Sequence, residues 1–375
     1  MSLSRDELAR YSRHLSLSDF GLDGQQKLKA AKVLVIGAGG LGSPALLYLA
    51  AAGIGTIGIV DFDKVDLSNL QRQVLFASDD VGKPKASTAA KRLQALNPFI
   101  SIRSHEVELN ADNVMTLLND YDVVLDGCDR FATRYLVNDA CVLLRKPLVS
   151  AAIHRFEGQA FTCVPGRSPC YRCLFPEQPS GELIPNCATA GVLGVLPGVM
   201  GTLQATEAIK LITGMGSLLL GRLLAYDALD MNFTEFEFAR RRDCAVCGDH
   251  PVITAPQASV ESCAATDDAG IAATALHALL QSSLVNDLQL IDVRDPHEYL
   301  LDHLPRSINM PLSTLEEQLQ QVNCNQRIVF VCRSGMRSNQ ACQIAMRLGL
   351  NNAVNLNGGL QHWNDSVPAN QRCML

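Results

Sequence analysis

Lys32-Val33-Leu34-Val35-Ile36-Gly37-Ala38-Gly39-Gly40-Leu41-Gly42-Ser43 is the stretch whose reading decides the fold. Val33–Ile36 reads as a strand apolar on both faces, as buried parallel strands are. Ser43–Ala52 reads as a small-residue helix with Pro44 in its first turn, where proline is tolerated. Glycines between strand and helix let backbone N–H groups approach a phosphate at the helix N-terminus. Gly37, Gly39, Gly40 and Gly42 are therefore candidates for binding a nucleotide; a ligand-free tight turn is the plainer reading. Working outward, Thr56–Val60 is a second strand, ending at Asp61, where a carboxylate can hold ribose hydroxyls. Lys85–Leu96 is a helix, with a short strand near 101–107 after it. Strands Val123–Asp126 and Leu148–Ala152 flank a helix from about Thr133 to Leu144. This alternation predicts an α/β fold: a Rossmann-like, doubly wound, mostly parallel sheet with helices on both faces.

The chain has 375 residues, 47% hydrophobic and 19% charged, enough for two or three cored domains and too apolar for wholesale disorder. A net charge of −6 excludes a generally basic, nucleic-acid-binding surface. Two uncharged runs, Val33–Val60 and Cys187–Thr206, are broken by glycine and proline, so no membrane association is expected. The N-terminal residues lack the basic and apolar regions of a signal peptide, which predicts a cytoplasmic protein. Thirteen cysteines in a reducing compartment then point to metal ligation or sulfur chemistry before disulfides. Residues 249–269 read as a linker between a domain at 1–248 and a second at 270–375. The second unit carries strands Leu288–Val293 and Arg327–Cys332, helix Asn339–Leu348 and strand Ala353–Leu356, so it is a small α/β domain.

Beyond the glycine loop, the polar segment Asp61–Gln73, Lys83-Pro84-Lys85 and Asp126-Gly127-Cys128-Asp129 all fall near strand ends. In an open parallel sheet, ligands collect outside the carboxyl ends of the strands, so Gly37, Asp61 and Asp129 should converge. Arg72 and Lys85 suit a triphosphate and Asp129 suits Mg²⁺, a set that argues against a dehydrogenase. Cys170, Cys173, Cys244 and Cys247 form two Cys-x-x-Cys pairs, the complement of a closed, structural, tetrahedral Zn²⁺ site. Cys187, at the start of a glycine-rich run, is either a buried core cysteine or an acceptor thiol. Cys332 ends a strand and faces a helix N-terminus with Arg333 and Arg337 nearby, which favours thiolate.

With these residues in view, positions 1 to about 248 resemble the MoeB/ThiF adenylating enzymes, bacterial relatives of ubiquitin-activating enzymes. The resemblance rests on Arg10-Tyr11-Ser12-Arg13, the glycine loop, Asp61–Gln73, Gly82–Lys85, Asp126–Asp129 and Asn186–Pro197. It implies ATP-dependent adenylation of the C-terminal Gly-Gly carboxylate of a small ubiquitin-like sulfur-carrier protein. It further implies that Asp61 holds the ribose, that Asn69, Arg72 and Lys85 hold the phosphates, and that Asp129 holds Mg²⁺. Arg13 would reach into the ATP site of a partner subunit, making the assembly a homodimer. The family usually follows the metal Asp with Asn, where this chain has Arg130.

Residues 270–375 resemble a rhodanese domain through Ile291–Asp295, Glu298-Tyr299, His303-Leu304-Pro305, Ile308-Asn309 and Gly358-Gly359. Departures occur at Asp302-His303 and Pro305-Arg306-Ser307. Cysteine phosphatases place five residues between Cys and Arg; Cys332 and Arg337 are separated by four, which favours sulfur over phosphate. The two resemblances together imply a Cys332 persulfide, charged by a cysteine desulfurase or thiosulfate, that converts the activated carrier into a thiocarboxylate. Molybdopterin synthesis is the expected purpose, with thiamine synthesis or tRNA thiolation as alternatives. A thioester on Cys187, passed on for protein conjugation, is the rival reading. Cys128, beside Asp129, has no assigned chemistry.

Overall fold

A computed structural model describes residues 2–178, 191–257, 270–282, 287–319, 326–368 and 373. The chain divides into two compact units, Met1–Cys263 and Ala264–Leu375.

The first unit is built on eight strands: β1 (Lys32–Ile36), β2 (Thr56–Val60), β3 (Ser101–His105), β4 (Val123–Asp126), β5 (Leu148–His154), β6 (Glu157–Cys163), β7 (Arg222–Asp227) and β8 (Asn232–Glu237). Their order is β3-β2-β1-β4-β5-β6-β7-β8. The first five are parallel, and β6, β7 and β8 extend the sheet antiparallel. The chain leaves β1 toward β2 on one side and later returns to β4 on the other. The gap between the ends of β1 and β4 is thus a topological switch point, where open α/β sheets bind ligands.

Side-chain alternation explains why the central strands read as unbroken apolar runs. Val33 and Val35 enter one core with the helices Gly42–Ala52 and Lys85–Leu96. Leu34 and Ile36 enter the other, with helices Val114–Asn119 and Phe131–Leu143. Both faces are covered, so neither tolerates a polar residue. The uncharged run around residue 200 continues into helix Leu196–Thr213, which carries the ion pair Glu207–Lys210. Among the described residues no helix is long and apolar enough to cross a membrane.

The second unit has a five-stranded parallel sheet, β9 (Gly270–Ile271), β10 (Leu288–Asp292), β11 (Ile308–Asn309), β12 (Arg327–Val331) and β13 (Ala353–Leu356), in the order β11-β10-β12-β13-β9. Ile328 and Phe330 face one core; Val329 and Val331 face the other, with Trp363. The first residues expected in the linker are tied to the first unit. Val252 and Ile253 donate backbone hydrogen bonds to the carbonyl of Ala245, and Ile253 is buried.

Candidate functional site

The glycine loop leaves β1 with Gly37 at φ +88°, a left-handed conformation open to glycine. A Cβ there would lie 3.0 Å from the carbonyl oxygen of Gly127, so the loops after β1 and β4 meet at this point. Gly37 N–H donates to the Val60 carbonyl and Gly127 N–H to that of Ile36. Asp61 follows β2 into the same corner. Its carboxylate accepts from the Ala38 N–H at 2.8 Å and the Asp63 N–H at 2.9 Å. Burial pushes the Asp61 carboxyl above its usual range, while the charge of Lys85 works against that rise. Lys85 is itself buried and pairs with Asp63 at 3.1 Å. Gly37, Asp61 and the β4 loop thus converge as the strand order requires.

Arg72 lies over the loop: its Cδ is 3.6 Å from where a Gly40 Cβ would stand, and Pro197 closes the same spot at 3.2 Å. Its guanidinium donates to the Ser68 carbonyl at 3.0 Å. Asn69 is half-buried and its Oδ1 accepts from the Asp66 N–H, shaping the turn that carries Arg72. Gln73 is buried close to Gly39, and its Oε1 has no hydrogen-bond partner among the described residues. An orphaned buried acceptor beside a glycine cradle is what a site shaped for a polar ligand leaves behind. Asp129 stands exposed two residues beyond Gly127. Arg130 is also exposed and pairs with Glu108 at 2.6 Å.

Arg13 does not join this cluster within its own chain. It sits exposed on the turn Ser12–Leu15, just after Tyr11. Tyr11 packs on Gly53, which caps the far end of the helix that the glycine loop opens. That helix has 11 residues, about 16 Å at 1.5 Å each. Cys187 lies outside the described residues.

The four knuckle cysteines do come together. Their sulfurs all lie within 4.8 Å of one another. Cys170 is 3.9 Å from Cys173 and 3.6 Å from Cys244, and Cys173 is 3.3 Å from Cys247. Sulfurs held about 2.3 Å from one tetrahedral ion stand about 3.8 Å apart, so the cluster fits zinc. The Arg241 N–H points at the Cys173 sulfur at 3.4 Å. Helix Phe131–Leu143 fixes the first half of the knuckle: Asn138 accepts the Tyr171 N–H, and Asp139 takes both arms of Arg172 at 2.7 Å.

In the second unit Cys332 follows the central strand β12 and is buried. Gly335, at φ +91°, turns its N–H back to the sulfur at 3.1 Å, and the Ser338 hydroxyl reaches it at 3.2 Å. Helix Met336–Arg347 starts immediately after, aiming its N-terminus at the loop. Gly359 lies so close that a Cβ would strike the Cys332 carbonyl. Of the two arginines near the thiol, Arg333 is exposed, whereas Arg337 is bound bidentately by Glu298 at 2.6 and 2.8 Å. Arg294 is locked between Asp292 and Asp302, a strand-end scaffold. Cys141, Cys163 and Cys342 are core; burial pushes the last two thiols up to about 12.

Comparison with known proteins matches this geometry. Residues 11–246 match the ThiF family and residues 272–366 the rhodanese-like domain. The chain belongs to the ThiF family. Its ThiF portion is followed by a rhodanese-like domain, and the whole chain is similar to the Mycobacterium tuberculosis protein named "Probable adenylyltransferase/sulfurtransferase MoeZ". The two are 47% identical over 376 residues, covering 96% of this chain and 94% of the relative. A Thermus thermophilus "Sulfur carrier protein adenylyltransferase" is 51% identical over 256 residues, 67% of this chain and 94% of its own length. Among solved structures, E. coli MccB with ATP superposes with a TM-score of 0.56 at 28% identity, over 64% of this chain and 73% of that one. This ThiF-family protein is an enzyme, an adenylyltransferase with sulfurtransferase activity.

The sequence reading missed four residues around the glycine-loop corner. Asp63 restrains Lys85, the Gln73 Oε1 has no hydrogen-bond partner among the described residues, and Asp126 pairs with Arg134 around Cys128. Asp126 and Gln73 stood inside quoted motifs; Arg134, eight residues past the end of β4, carried no signal of its own.

Proposed function

We propose that the chain adenylates the C-terminal Gly-Gly carboxylate of a small ubiquitin-like sulfur-carrier protein and then replaces the activated oxygen with sulfur. The observation that carries this reading is the presence, in one ThiF-family chain, of a glycine-loop crevice and a separate thiol loop.

In the first step the carrier carboxylate, already ionised at neutral pH, attacks the α-phosphorus of ATP and pyrophosphate leaves. Asp61 holds the ribose, and the loop amides of Gly37–Gly42 face the phosphates. Asn69, Arg72 and Lys85 offset charge on the leaving group, which is where such a reaction needs cations. Asp129 holds Mg²⁺, which supplies charge neutralisation on the phosphate oxygens. Arg13 completes the site of the partner subunit in a homodimer, a role supported by its placement far from its own glycine loop. Zn²⁺ on Cys170, Cys173, Cys244 and Cys247 is structural.

In the second step the outer sulfur of a Cys332 persulfide attacks the carrier's acyl carbon and AMP leaves. A small thiol reductant then attacks the Cys332 sulfur. It takes Cys332 as a disulfide and frees the carrier thiocarboxylate. The persulfide comes from a cysteine desulfurase or thiosulfate. The MoeZ name of the relative matched over nearly the whole chain supports molybdopterin synthesis as the purpose, and the cytoplasm is the compartment we assign.

The test is a pair of assays on the full chain with a purified carrier. Carrier-dependent ATP–pyrophosphate exchange should survive Cys332→Ala and disappear in Asp129→Asn. Thiocarboxylate, read by carrier mass, should be lost in both. Undiminished thiocarboxylate from Cys332→Ala with a persulfide donor as the sole sulfur source would sink the sulfur-relay step.

A further inference from the structure

Asp126 and Arg134 form a buried ion pair at the end of β4, with 3.2 Å between Arg134 Nε and Asp126 Oδ2. Buried pairs contribute little net stability unless their remaining bonds are filled. Here most of them go to one residue, while the Arg134 Nε makes no hydrogen bond among the described residues. Asp126 Oδ1 accepts the Cys128 N–H at 3.1 Å and the Cys128 thiol at 2.7 Å. Arg134 donates to the Cys128 carbonyl at 2.8 Å and to the Ala151 carbonyl at 3.1 Å. Every polar group of Cys128 is therefore in the grip of the pair.

The pair is itself fixed from behind. Ser150 donates its hydroxyl to Asp126 Oδ2 at 2.9 Å, and Gln204 donates to the Asp126 carbonyl at 2.7 Å. The Arg134 guanidinium lies 5.9 Å from the ring centre of Tyr171, the residue between two knuckle cysteines. Gly127, ahead of Cys128, is pinned to the end of β1 by its N–H. Asp129, the next residue, is exposed.

We infer that Asp126, Arg134 and Cys128 are positioning residues that aim the Asp129 carboxylate at the metal–nucleotide complex, Cys128 acting through its S–H as a hydrogen-bond donor. The inference rests on the proposed role of Asp129. The thiol's function here is to give a proton to a buried carboxylate, so a hydroxyl can replace it and a methyl cannot.

The experiment is calorimetric titration of full-length protein with a non-hydrolysable α,β-methylene ATP at a series of Mg²⁺ concentrations. Zinc content and thermal midpoint are measured alongside. Loss of a partner that orients a ligating group typically costs 10–100-fold in metal affinity. Cys128→Ala should raise the Mg²⁺ concentration for half-maximal binding about tenfold, and Cys128→Ser should restore it. Arg134→Met should match or exceed Cys128→Ala. Metal-free nucleotide binding and zinc content should not change in the two Cys128 variants. An unchanged Mg²⁺ midpoint in Cys128→Ala, or equal loss in Ala and Ser, overturns the inference. If Asp129→Asn leaves the Mg²⁺ dependence intact, the reading of Asp129 falls and the positioning role with it.

Discussion

The loops after β1 and β12 use one device for two purposes. Each leaves a central parallel strand, turns through a glycine at positive φ, and opens a helix. Gly37 lets the first loop lie against the β4 loop, leaving a crevice whose bonding partner is to arrive from solution. Gly335 turns its amide inward onto a sulfur that the chain itself supplies. The proposed nucleotide crevice is thus assembled from distant residues, Asp61, Arg72 and Lys85, whereas the thiol loop is nearly complete within Cys332–Ser338. A site whose ligand comes from outside needs many strand ends; one that holds its own nucleophile needs a single turn.

The largest expected effect that separates them is Cys332→Ala. It should abolish sulfur transfer and leave pyrophosphate exchange within twofold of the parent, both measured on the same preparation. Gly37→Ala is the reciprocal cut. The added methyl meets the Gly127 carbonyl in a left-handed backbone, costing about 1–3 kcal/mol. Exchange should fall by at least tenfold while thiosulfate-dependent cyanide sulfuration persists. Chelating the knuckle metal should lower the melting midpoint of the first unit and spare that of the second, read by calorimetry. The smallest effect belongs to Glu298. Burial favours its acid form, but the hydrogen bonds and charge of Arg337 win and hold its pKa below the ordinary value. The unfolded chain therefore binds this proton more readily, so the pair stabilises above the ordinary glutamate range and is lost as pH falls through the lowered value. Glu298→Gln should remove about 1 kcal/mol at neutral pH and flatten the acid limb of the second unit's stability curve.

Those contrasts also explain what could be read beforehand. The parallel strands β1, β2, β4 and β12 declared themselves because burial on both faces leaves only apolar residues in them. Strands β6, β7 and β8 went unread. β8 is exposed along its whole length and β7 is mostly half-buried, so their alternation carries little core signal, whereas β6 is buried over Ala160–Cys163. The thiol loop and the knuckle cysteines were legible because their chemistry is local or repeats at a fixed spacing. The sequence places Arg337 near the thiol but gives no sign of its ion pair with Glu298, 39 residues earlier. Asp126 and Arg134 act through the backbone of a neighbour, and no motif records such a bond.

The knuckle has a consequence for how the protein is made. Its two halves are separated by the 70 residues from 174 to 243. At translation rates of about 5–20 residues per second, roughly 4–14 s pass between synthesis of the first cysteine pair and of the second. For that interval the nascent chain already holds β1–β6 and half a metal site. The four-sulfur cluster is complete only with Cys247, which comes just before the second unit begins to emerge.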